Sequence, residues 1–151
     1  MDLATGFTLE QPALAIPWRI SERELASLVA GPAIGRDGLK EVTTGYYVLS
    51  HVVSLKGLEH ELGLHFEPRR HGRLLELEFF RRSYPDLAAS YREFQEHLEA
   101  TFGPPTHRNP SPEGFATCEW LYRHATIKHL VFDRFGPEEH VRIVVPDIAP
   151  A

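Results

Sequence analysis

Nine histidines, a lone cysteine and a closely spaced pair of glutamates are the residues of this sequence with the capacity for chemistry. The histidines raise metal ligation first. His60-Glu61-Leu62-Gly63-Leu64-His65 comes near the HExxH pattern of zinc proteases, whose two histidines lie four apart on one helical face. Here the second histidine is five positions on, and the segment alternates like a strand, which sends the two rings to opposite faces. His124 and His129 have the same spacing and meet the same objection. The sequence holds no cysteine pair, no HxH and no EF-hand spacing. The expectation is scattered, solvent-facing histidines, with no metal and no cofactor.

Nucleophilic chemistry fares no better. A GxSxG elbow is missing. Cys118 alternates with Trp120 and Tyr122, the apolar parity of its segment, and reads as a small buried hydrophobe. GPAIGRDG lacks the Lys-Ser/Thr end of a phosphate-binding loop and reads as a turn. Glu76 and Glu78 stand two apart on one strand face. Glycosidase carboxylates flank a bond from opposite sides, so these two are expected on a solvated face or beside Arg69, Arg73 or Arg81. No catalytic residue is assigned.

The elements that would position these groups follow from local signals. Ser21 and Glu24 form a capping-box pair, Ile20 can staple onto Leu25, and a short helix with Leu25, Leu28 and Val29 on one face ends at Gly31-Pro32. GYYVLSHVVSL is rich in β-branched and aromatic residues and reads as a strand. ELGLHF and LLELEFF alternate, with Leu62, Leu64 and Phe66 on one face of the first and Leu75, Leu77 and Phe79 on one face of the second. PRRHG joins them as a hairpin turn. Leu87, Tyr91, Phe94, Leu98 and Phe102 draw a helical stripe after Asp86, and Gly103-Pro104-Pro105 ends it. The polar loop THRNPSPEG then leads to ATCEWLYR, ATIKHLVFD and EHVRIVV, three more strands.

The pattern is a helix and three strands, twice. It predicts an α+β fold: one domain over residues 1–151, with a duplicated α-β-β-β unit over residues 17–82 and 83–146. The antiparallel sheet has about six strands, with two helices on one face.

Composition narrows the classes of function. A chain of 151 residues with a formal net charge of −5 is the size of one domain and is ill suited to neutralising phosphates, which disfavours nucleic acid. One cysteine allows no intrachain disulfide and points to the cytoplasm. The first residues carry Asp2 and Glu10 rather than a basic start, so no secretory signal is expected. No apolar run approaches the roughly 20 residues of a membrane span.

Small size, acidic charge, the absence of a signal or catalytic motif, and a helix ending in Phe102-Gly103-Pro104-Pro105 before a closing meander resemble the immunity proteins that neutralise polymorphic toxins in bacteria. The doubled helix-plus-three-strand plan is similar to the tandem repeat of the β-lactamase inhibitor protein fold. The resemblance implies a cytoplasmic protein, monomer or homodimer, that binds a protein partner such as a cognate toxin. From the residues themselves, the clustered basic hairpin Arg69, Arg70, His71 and Arg73, with Tyr47 and His51 on the neighbouring strand, is the expected contact surface. Two rival expectations stand beside it. One is a small enzyme or ligand-binding protein with a pocket between sheet and helix that uses histidines such as His51, His65 or His129. The other is a secretion chaperone or scaffold dimer.

Overall fold

Capping chemistry sets where both helices begin. The Ser21 hydroxyl accepts from the Glu24 N–H at 3.1 Å and the Asp86 carboxylate accepts from the Ala89 N–H at 2.7 Å, each satisfying an amide that has no partner within its helix. A computed structural model describes residues 1–30, 38–67, 72–133 and 136–146 of the chain. In order these form β1 (Gly6–Leu9), β2 (Leu14–Pro17), α1 (Glu22–Leu28), β3 (Leu39–Thr43), β4 (Tyr46–Ser54), β5 (Leu58–Phe66) and β6 (Leu74–Phe80). They are followed by α2 (Leu87–Phe102), β7 (His107–Asn109), β8 (Thr117–Leu121), β9 (Thr126–Asp133) and β10 (Pro137–Val144). Gly103, at φ +80°, closes α2 in a conformation that side chains rarely adopt. Among the described residues no helix is long and apolar enough to cross a membrane.

The architecture is α+β with antiparallel pairing, and the sheet is larger than expected. It has eight strands, not about six, in the order β3-β4-β5-β6-β10-β9-β8-β7; β1 and β2 make a separate two-stranded sheet. Each helix is therefore followed by a meander of four strands rather than three. The missing members are β3 and β7. They lie at the two edges of the sheet, where one side of a strand is unpaired, and their polar residues and flanking turns carry little strand signal. β7 falls within the segment expected to be a polar loop.

Strand register separates the side chains into two faces, because residues directly opposite one another point the same way. One row runs across all eight strands: Leu39, Leu49, Leu62, Phe79, Val141, His129, Cys118 and Arg108. From Leu49 to Cys118 every member is buried. The adjacent row on the other face reads Lys40, Val48, Gly63, Glu78, Arg142, Lys128, Glu119 and His107. The buried side chains of this face share one core cluster with Phe94 and Leu98 of α2, Leu25 of α1, and Phe7, Leu9 and Ile16 of the N-terminal hairpin. Phe7 meets Phe79 edge-on at 5.2 Å.

Three expectations about individual side chains fail. Leu75, expected to share a face with Leu77 and Phe79, is 40% exposed while Leu74 is 2% exposed. The cause is a bulge: His65 pairs with Glu76 but Phe66 pairs with Leu74, so Leu75 is the extra residue and the parity flips around it. Leu28 is 37% exposed, because α1 has only seven residues and buries Leu25 alone. Tyr122, expected to follow Cys118 and Trp120 inward, lies beyond the end of β8 and is exposed.

The bulge predicts opposite outcomes at neighbouring leucines. Leu74→Ala should lower the unfolding free energy by about 2–5 kcal/mol, as for truncation of a buried leucine. Leu75→Ala should change it by less than about 1 kcal/mol. Urea unfolding of the two variants separates them, and equal losses would contradict this register.

Candidate interface on the polar sheet face

His60 and His65 point to opposite faces of β5, as the strand alternation requires. Their environments differ accordingly. His60 is 2% exposed and Ser54 is fully buried, and Ser54 Oγ lies 2.5 Å from His60 Nε2. The other ring nitrogen, Nδ1, lies 2.9 Å from the Glu61 carbonyl. Nδ1–H donates to that carbonyl, which leaves Nε2 to accept from the serine hydroxyl. Burial pushes the His60 pKa down to about 4, so the ring is neutral in the folded state. A serine paired with a neutral histidine is a nucleophile's arrangement, but both groups are sealed in the core among residues such as Phe79, 5.0 Å away.

His129 is also buried, beneath α2, contrary to the expectation of solvent-facing histidines. Its Nδ1 lies 2.6 Å from Gln95 Oε1 and its Nε2 lies 2.5 Å from Glu139 Oε2. Ser90 Oγ donates to the second Glu139 oxygen at 2.5 Å. Tyr91 stacks on the imidazole at 4.2 Å, and its hydroxyl donates to the Ala116 carbonyl. Burial, followed by the neighbouring Cys118, pushes the Tyr91 pKa up. Arg81 completes the group, donating to Ser90 Oγ at 3.0 Å and to Glu93 at 2.9 Å, with its guanidinium 4.9 Å from the centre of the Phe94 ring. In a nucleophilic triad the imidazole stands between hydroxyl and carboxylate. Here the carboxylate stands between them, so the hydroxyl donates to Glu139 rather than to the imidazole, and the network links α2 to β9 and β10.

The polar face carries a different cluster. Tyr46 and His65 stack at 4.2 Å with their planes 10° apart. Tyr46 lies across Gly63: a Cβ at that glycine would stand 3.0 Å from the tyrosine ring, so any side chain there would lift it. His65 Nε2 is 3.4 Å from Glu78 and 4.0 Å from Glu76. Arg142 approaches Glu76 at 3.7 Å and bonds His140 at 2.9 Å. His65 alongside holds the Glu78 pKa below its usual value, and burial with Glu78 alongside raises that of Tyr46. The side chains of His65, Glu76, Glu78, Arg142 and His140 are between 21% and 37% exposed, so the cluster is held in place and yet reachable. Phe132, 50% exposed, and Leu121, 47% exposed, are on the same face. The partners of the two glutamates include His65 and Arg142, whereas Arg81, one of the arginines expected there, is engaged with α2.

The expected contact residues that are described, Arg73, Tyr47 and His51, lie in different places. Arg69, Arg70 and His71 lie outside the described residues. Arg73 is half-buried, bridges to Ser21 and lines a groove at the start of β6. Tyr47 lies on the apolar face, its hydroxyl donating to Glu22 of α1 at 2.9 Å and its ring edge-on to Phe66 at 5.7 Å. The carboxylates of Glu41 and Glu22, together with burial, raise its pKa. His51 is exposed at a bulge of β4, at φ +55°, and its N–H donates to Glu61 at 3.1 Å. Arg82 holds the same carboxylate at 3.3 Å. His51, His65 and His129, the histidines named as candidates for a pocket, sit respectively on a bulge, on the polar face and in the core. The space beneath α2 is filled by Phe94, Leu98, Trp120 and His129. Among the described residues no group of three or more His, Cys, Asp or Glu side chains is arranged to hold a metal ion.

No protein family, curated protein or solved structure compared with the chain matches it.

Two measurements check the buried polar groups. The unfolded His60 titrates near 6.5 and the folded one near 4, so between these values the unfolded state binds more protons and stability falls as pH falls. The loss should approach roughly 3 kcal/mol by pH 4, and His60→Gln should flatten that part of the stability–pH curve. Glu139→Ala, which strips His129 and Ser90 of a shared partner, should cost about 3–5 kcal/mol in denaturant unfolding.

Proposed function

We propose that this chain is a protein-binding module of the immunity type, a cytoplasmic inhibitor that neutralises a toxin or other enzyme by stoichiometric contact through the polar face of its sheet. The observation that carries this reading is the Tyr46–His65–Glu78–Arg142–His140 cluster. It combines aromatic rings, a guanidinium and carboxylates, fixed by one another and partly exposed, with Phe132 edge-on to His140 at 6.5 Å and Leu121 exposed on the same face. Arginine and aromatic side chains of this kind anchor protein interfaces, and their mutual fixing reduces the entropy lost on binding.

The contacts of the two helices support the same reading. Glu22 of α1 meets Tyr47, and Gln95 of α2 meets His129; both targets belong to the apolar face. We infer that both helices cover that face, as the N-terminal hairpin does through Phe7, which leaves the polar face for a partner. Charges of both signs along the Lys40–His107 row suit recognition of a patterned protein surface better than the uniform backbone of a nucleic acid. The hydrogen-bonded serines, Ser54 and Ser90, are engaged within the fold, which favours binding over catalysis.

The test uses Phe132→Asp and Leu121→Asp, both at exposed positions, with Arg142→Gln. The partner that co-purifies with the intact chain from its own cells is identified, purified and titrated against each variant by calorimetry. One-to-one binding, weakened tenfold or more (about 1.4 kcal/mol) by these substitutions at unchanged melting temperature, is the expected result. Full affinity in all three would remove the polar face from the interface. Loss of binding on charge reversal of Arg69, Arg70 and Arg73 instead would move the contact to the hairpin.

A further inference from the structure

Arg142 supplies the guanidinium of the polar-face cluster, and its hold there depends on an imidazole. Its Nη2 lies 2.9 Å from His140 Nδ1. A guanidinium can only donate, so Nδ1 is the bare nitrogen of a neutral ring and Nε2 carries the hydrogen. That hydrogen faces Glu138, whose Oε2 is 3.6 Å away.

Little else fixes the guanidinium. Its Nη1 is 3.7 Å from Glu76, beyond hydrogen-bond reach, and its Nε, though buried, has no hydrogen-bond partner among the described residues. Glu76 is also shared. His65 Nε2 stands 4.0 Å from it and 3.4 Å from Glu78, and is itself without a hydrogen-bond partner. The other charged groups facing the pair are Glu78 of β6 and Lys128 of β9, which lie opposite Arg142 on its two sides.

Imidazole is the side chain whose ordinary charge change falls between about pH 5 and 8. A proton on His140 Nδ1 turns the acceptor into a donor and sets two cations against each other, so the bond to Arg142 is lost. The imidazolium keeps Glu138 alongside it. A proton on His65 acts in the same sense, because that imidazolium then competes with Arg142 for Glu76. Lys128, a like charge, offers the freed guanidinium nothing. Protonation therefore favours the histidine–glutamate contacts and releases the arginine.

We propose that protonation of His140 weakens partner binding through the polar face, by releasing Arg142 from the position in which a partner meets it. The inference rests on the polar face being the interface. His140 is a positioning residue in it, acting through Arg142, and Phe132, edge-on to the imidazole, ties the pair to the exposed apolar part of that face.

The first test needs no partner. Long-range ¹H–¹⁵N spectra of the imidazole rings in the full-length labelled chain at about pH 8 should place the His140 hydrogen on Nε2 and leave Nδ1 bare. A hydrogen on Nδ1 under those conditions would overturn the proposal. The second test is calorimetry with the co-purified partner at about pH 8 and about pH 5.5, the amide spectrum checking that the chain is folded at both. Over this interval the affinity of the intact chain should fall roughly tenfold more than that of His140→Gln, whose amide oxygen accepts from Arg142 without titrating. Arg142→Gln should lose the same part of the pH dependence, since it removes the group through which His140 acts. Equal pH dependence in the intact chain and either variant would overturn the switch and leave the interface standing. Full affinity of Phe132→Asp, Leu121→Asp and Arg142→Gln at about pH 8 would remove the interface and the switch together.

Discussion

The pairing of β6 with β10 is the constraint on which the remainder of the structure rests. It joins two four-stranded meanders into one sheet, and does so with Val141, Arg142, Ile143 and Val144 set against Phe79, Glu78, Leu77 and Glu76. This register makes the apolar rows of both halves continuous, because a shift of one residue would set Arg142 among the buried side chains and Val141 in water. It also sets Arg142 beside the glutamates of β6 on the polar face. On the apolar face it brings Arg81, just beyond β6, within reach of the helix that lies over β9 and β10.

Departures from regular pairing then place the side chains that regular strands would have misdirected. The β4 bulge lets Tyr47 and Leu49 share the apolar face with Val52 and Ser54, whose sequence parity is opposite. Its free amide and the Arg82 side chain both turn to Glu61, which explains how a carboxylate only 5% exposed is tolerated. The β6 bulge does the same for Leu74 and releases Leu75 to the groove. On each of these strands one inserted residue keeps the core intact and creates a surface feature beside it.

The two buried histidines are each admitted with partners on both ring nitrogens. His60 has a hydroxyl on one nitrogen and a carbonyl on the other, and His129 has an amide and a carboxylate. These histidines cost less than isolated ones would, and they specify which helix face and which strand meet. The polar face follows a looser rule. There Tyr46, His65, Glu78, Arg142 and His140 order one another without being sealed.

Local chemistry made much of this legible in the sequence. Caps at Ser21 and Asp86, the stripe through Phe94 and Leu98, the Gly103 stop and the alternation of β5, β6 and β8–β10 are encoded within a few residues, since they depend on backbone amides, turns and side-chain period alone. The opposition of His60 and His65 follows from the same period. Other features came only from tertiary structure. The edge strands β3 and β7 exist because a neighbouring strand supplies their hydrogen bonds, not because their residues favour extension. The bulges exchange which leucine is buried, a choice made by cross-strand register rather than by parity. His129 is drawn into the core by Gln95 and Glu139, and the polar-face cluster by the meeting of β4, β5, β6 and β10, residues far apart in the chain. Periodicity determines which side of a strand a residue faces; only the assembled sheet decides which strand lies next to it, and so what chemistry that side chain can share.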